Sequence, residues 1–138
     1  MTGITGNCSS KIQSQTMVAV QGAADHQVGI TVMVGKHTCA DPKWNDARMT
    51  YVGTADVIGG KGEQRGYFHN AHPNGDTSHG TFQAKVLTTD KTMTLEGTWL
   101  LSEGTGTLTN VKGGGPFKAQ MTSPTDSEMT WSGSYELG

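Results

Sequence analysis

Residues Gly104–Phe117 read GTGTLTNVKGGGPF, five glycines in fourteen positions. Two kinds of structure concentrate backbone freedom in this way. A glycine-rich loop can cradle a phosphate, or glycine can let one strand of a β-barrel turn sharply into the next. The phosphate reading needs GxxxxGK followed by Ser or Thr, or GxGxxG, between a strand and a helix. No Lys-Ser or Lys-Thr pair occurs here, and Pro116 opens a strand-like run rather than a helix. No βαβ unit surrounds the stretch either. The corner reading remains, and it requires a strand on each side.

Both flanks supply one. Upstream, Met93, Leu95, Gly97 and Trp99 alternate with Thr92, Thr94, Glu96 and Thr98. Downstream, Met129, Trp131, Gly133, Tyr135 and Leu137 alternate with Thr130, Ser132, Ser134 and Glu136. A period of two with one greasy and one hydroxyl-rich face is the mark of a half-buried strand. Val28, Ile30, Val32 and Val34 form a third apolar stripe, and Gly80, Phe82, Ala84 and Val86 a fourth. Turn signals separate these runs. Pro73-Asn74-Gly75-Asp76 joins a strand around Arg65–His72 to one around Thr77–Thr88. Thr89-Asp90-Lys91 leads into the strand from Thr92. Asp41-Pro42-Lys43 opens a loop ahead of Arg48–Ile58, and Gly59-Gly60-Lys61-Gly62 follows that strand. The expected fold is all-β: a single antiparallel up-and-down barrel of about eight strands in one domain over residues 1–138, with 1–10 as an N-terminal extension. Glycines on the apolar stripes (Gly80, Gly97, Gly133) mark tight curvature or space left inside such a barrel.

Composition agrees. Glycine, at 20 of 138 residues, is about twice its usual share and disfavours long helices. Ten Lys and Arg against twelve Asp and Glu give a net charge of −2, which argues against nucleic acid as a partner. No apolar run approaches the ~20 residues of a membrane helix, so no membrane partner is expected. The stretch MTGITGNCSSKIQ lacks the apolar region of a signal peptide. Compartment stays open between periplasmic or secreted and cytoplasmic. Cys8 and Cys39 have neither CxxC nor zinc-ligand spacing; in an oxidising compartment they could pair, and in a reducing one they would be thiols.

Several side chains invite chemistry. His69, His72 and His79 fall within eleven residues, but positions 69 and 72 of a strand face opposite sides. That leaves two ligands where catalytic zinc usually takes three, so neither a metal site nor a cofactor is expected. Arg65, Tyr67 and His69 share one strand face. Turned inward, they would bind a carbonyl or enolate oxygen and move a proton, and they are the candidate catalytic set. With Phe68 inward instead, the same three are a solvated face. Asp56 is a candidate pocket carboxylate, because both stripes of its strand contain apolar residues. Tyr51, Phe82, Trp99, Trp131 and Tyr135 lie on apolar stripes; in a partly empty barrel their rings would line a pocket, with methionines as adaptable walls.

The stretch GTGTLTNVKGGGPF following TLEGTWLLSE resembles the allene oxide cyclase/dirigent barrel superfamily and several uncharacterised bacterial families with that barrel. GTADVIGGKGEQRGYF followed by NGDTSHGTF is similar to their middle hairpin. The resemblance covers Thr50–Leu137. It implies a small antiparallel barrel holding an apolar ligand, with Gly-Thr-Gly as the corner between two strands, and it makes a homo-oligomer plausible. Characterised members cyclise reactive hydrophobic molecules or guide their coupling. The implied function is binding of a small hydrophobic molecule, with a cyclase, isomerase or lyase acting on a carbonyl-containing substrate as one form. A lipocalin-like carrier without chemistry is the alternative, and a barrel with a filled core is a third.

Overall fold

Each alternating run becomes a strand in the computed structural model, which describes every residue from Met1 to Gly138. The strands are β1 Thr2–Ala19, β2 His26–Cys39, β3 Arg48–Ile58, β4 Lys61–Ala71, β5 Thr77–Thr89, β6 Thr92–Gly104, β7 Lys112–Met121 and β8 Asp126–Glu136. They close into one barrel in sequence order, every neighbouring pair antiparallel.

The tight turns follow from backbone stereochemistry. Gly59 and Gly60 sit at φ +59° and +80°, the left-handed pair that a two-residue hairpin needs to match strand twist. Lys61 and Gly62 are therefore not part of that turn but the start of β4. The opening stretch behaves as a corner. β6 ends at Gly104, a single 3-10 turn spans Gly106–Leu108, and β7 starts at Lys112. Gly106 is at φ +62°. Beside it the Asp76 carboxylate accepts from both the backbone N–H and the hydroxyl of Thr107, fastening the corner to the β4–β5 turn. Those bonds hold the Asp76 carboxyl below its ordinary range.

Residues 1–10 are not an extension. β1 is the closing strand, paired to β8 from Thr2↔Tyr135 to Lys11↔Asp126 and to β2 on its other side. Gly6 on its inward face is small because the space is already filled: a Cβ there would meet the Trp131 ring.

The stripes of β5, β6 and β8 face inward as expected. That of β2 does not. Val28, Ile30 and Val34 are on the outside, and Thr31, Met33 and His37 take the buried face. The stripe glycines leave no space. A Cβ on Gly80 or Gly97 would collide with the carbonyl of the adjacent strand, at Leu100 or Gln83. They exist for close strand approach in a narrow, strongly coiled barrel. One end is closed by Trp44 and Ala47 from the β2–β3 loop and by Leu108 and Val111 from the β6–β7 corner, all buried.

Candidate functional site

The inward side chains leave a cavity of about 70 Å³ along the barrel axis. Tyr51, Phe82, Trp99 and Trp131 are on its wall. Tyr51 stacks edge-on to Phe82 at 5.4 Å, and Trp99 to Trp131 at 6.0 Å. Tyr135 is buried but stands apart from the cavity. It packs against Trp44 in the end cap and donates its hydroxyl proton to Asp41 Oδ2 at 2.6 Å.

The candidate catalytic set lies elsewhere. Arg65, Tyr67 and His69 are exposed on the outer wall, with Tyr67 at 70 %. Gln64, Phe68 and Asn70 take the inner face of β4. The large Phe68 ring and the amide of Asn70, which has polar partners inside, decide which way the strand turns. Asp56 is also outside, 2.6 Å from His26 Nε2. His69 and His79 face each other across β4 and β5 on that same outer wall. Both cysteines are free. Burial pushes the Cys8 thiol up to about 12.

One polar assembly went unrecognised in the sequence, and it links the cavity to the cap. Trp131 Nε1–H donates to His37 Nδ1 at 3.1 Å. An indole can only donate, so the His37 proton sits on Nε2 and is given to Asn70 Oδ1 at 3.0 Å. The Asn70 amide donates to Ser78 Oγ at 3.2 Å. His72 Nδ1 must donate to the Lys43 carbonyl at 2.7 Å. Its Nε2 therefore accepts the Ser78 hydroxyl proton at 2.9 Å. Every proton in this relay runs in one direction, and the arrangement exists only with both imidazoles neutral. Burial acts in the same sense, pushing both histidine pKa values below their ordinary 6.5. A Ser–His pair at this distance suggests a nucleophile, but Ser78 has no exposed surface and does not border the cavity.

His37 and Asn70 border the cavity at the capped end; Gln64, Ser10 and Ser127 are the other polar groups around it. None of the eighteen lining residues is Asp, Glu, Lys or Arg. The two titratable ones are neutral near pH 7: His37 for the reason above, and Tyr51 because burial raises its phenol to about 12. The Tyr51 hydroxyl donates to Met33 Sδ. A legible signal for His37 did exist. It continues the Thr31-Met33-Gly35 stripe, the stripe opposite the valines.

No family model, no curated protein and no solved structure matches the chain.

Proposed function

We propose that the barrel binds a small, uncharged, largely apolar molecule in its lumen and acts as a carrier rather than a catalyst. The observation that carries this reading is the composition of the cavity wall: thirteen of eighteen residues are hydrophobic and none bears a charge. A charged ligand would be desolvated there with nothing to compensate it. The resemblance of Gly104–Phe117 to barrels that hold apolar molecules supports the same reading. Size narrows the ligand further. About 70 Å³ is far below the ~300–1,000 Å³ of drug-sized sites, and suits a single ring or a short chain.

Carriage is favoured over chemistry by the state of the groups at the wall. His37 has both ring nitrogens committed to protein partners, and Tyr51 spends its proton on Met33. Neither is free to exchange a proton with a ligand. The set Arg65, Tyr67 and His69 is across the barrel wall from the lumen.

The test compares benzyl alcohol with benzoate, one ring in neutral and anionic form, at neutral pH. Benzyl alcohol at ~100 times its Kd should stabilise the fold by about 2.7 kcal/mol and perturb the fluorescence of Trp99 and Trp131. Benzoate should do neither, and Ala119→Leu, which adds bulk to the cavity wall, should abolish the benzyl alcohol effect. Equal responses to the two ligands, or no response to millimolar benzyl alcohol, would sink the proposal.

A further inference from the structure

The outer wall of β2, β3 and β4 carries what a solvated wall does not need. Val52 lies beside Val32 on one side and Tyr67 on the other, forming one row across three strands. Ile30 and Val34 flank that row on β2. Ile30 is 52 % exposed, Val52 39 % and Tyr67 70 %. Contiguous exposed apolar side chains in a polar setting mark an interaction surface, and a tyrosine at its centre is the residue type that anchors one. The strongest apolar stripe in the sequence, Val28 to Val34, is thus spent on the outside of the barrel.

Charge placement points to the occupant. On the central strand β3, Arg48 stands four residues before Val52 and Asp56 four residues after it, all on the outer face. Arg48 has no acidic partner within its own chain. A two-fold axis through Val52, lying across the strands, brings Arg48 of one copy onto Asp56 of the other, twice. It also lays each Val52 row on its counterpart. A surface whose apolar centre is flanked at equal spacing by opposite charges is self-complementary, as an isologous contact requires.

We propose that this wall is the dimer interface of the protein, formed with a second copy whose strands run antiparallel across it. Eight residues of strand and three strand spacings give a strip about 27 Å by 14 Å, roughly 400 Å² per copy. That is about half of the ~800 Å² per partner in a standard interface, so the dimer is a dissociable one. It leaves the lumen and its cap untouched, and stands or falls separately from ligand binding.

Sedimentation velocity over a micromolar to millimolar series decides it. The wild type should pass from monomer to dimer as concentration rises. Val52→Lys and Ile30→Lys, both at exposed positions, should keep the wild-type circular dichroism and melting temperature yet weaken association at least about tenfold, the equivalent of 1.4 kcal/mol. Arg48→Asp and Asp56→Lys should each remain monomeric alone and form heterodimers when mixed, since the mixed pair has opposite charges at both contacts. A wild type that is monomeric throughout the series overturns the proposal. So does a dimer indifferent to Val52→Lys, or charge variants that do not complement each other on mixing.

Discussion

At the scale of single residues, small side chains here mark crowding. Gly97 is the clearest case, because its missing Cβ is the space that the Gln83 carbonyl and Ala84 occupy. Gly97→Ala should lower stability by about 1–3 kcal/mol, the range for overpacking a filled interior. For a chain this size that is a fall of roughly 3–10 °C in Tm. Gly3→Ala is the control: a Cβ there meets nothing within 4 Å, so its melting temperature should stay within about a degree of wild type. An unchanged Gly97→Ala would mean that the strands can separate at that point at little cost. The sequence revealed that Gly80, Gly97 and Gly133 sit on inward stripes. It could not reveal whether they made room for a ligand or for a neighbouring strand, because that depends on barrel radius and shear. Aromatic residues were more legible. Tyr51, Phe82, Trp99 and Trp131 line the lumen, since a large ring on an alternating stripe has little choice but to go inside. Tyr135 lies one step too far toward the cap, where Trp44 and Asp41 claim it.

At the scale of elements, the cap is held by a relay that tolerates no extra proton. A second proton on His37 would set Nδ1–H against the Trp131 N–H, two donors face to face. Both histidines have folded-state pKa values below 6.5, so below that pH the unfolded chain binds more protons than the native one. Stability is therefore complete above about 6.5 and is lost as pH falls toward the folded pKa values. The loss is up to about 1.4 kcal/mol per pH unit for each histidine. Urea midpoints measured between pH 7.5 and 5 should fall accordingly, and His37→Gln should flatten the slope by one proton. The Asp76 contribution lies in a separate window, because its lowered carboxyl loses stability only as pH drops below 3.8. A wild-type midpoint that is flat from 7.5 to 5 would show that the relay accommodates charge. This element was invisible in the sequence for a plain reason. His37, Asn70, His72 and Ser78 come from three strands and a loop, and only barrel closure brings them together. The facing of β4 was readable from Phe68, whereas β2 misled because its valines are outside.

At the scale of the whole molecule, the fold depends on closure. Seven of the eight neighbour pairings join strands consecutive in sequence, and a meander of hairpins is the pattern the turn signals disclosed. The eighth, β1 with β8, joins the two ends of the chain at Thr2↔Tyr135. Its strand did not read as one: Gly3, Gly6, Ser9 and Ser10 look like an extension when the indole that fills the inner side of Gly6 is unseen. Such a contact has the largest sequence separation available and makes folding slow, yet without it β8 and β1 are both edges. Deleting residues 1–10 removes the pairing of β8 and uncovers Trp131, whose ring lies over Gly6. It also removes Ile4 and Cys8 from the buried core. Were the segment an appendage, the shortened chain would melt at the wild-type temperature. If it is the closing stave, the shortened chain should lose its cooperative thermal transition and its near-ultraviolet dichroism, and Trp131 fluorescence should shift to the red on exposure to water. Adding a synthetic peptide of residues 1–12 in excess should then restore part of the signal by occupying the vacant place between β8 and β2. A deletion variant with an intact transition would refute closure by β1, and the lumen would have to be redrawn with a gap where Cys8 and Ser10 now stand.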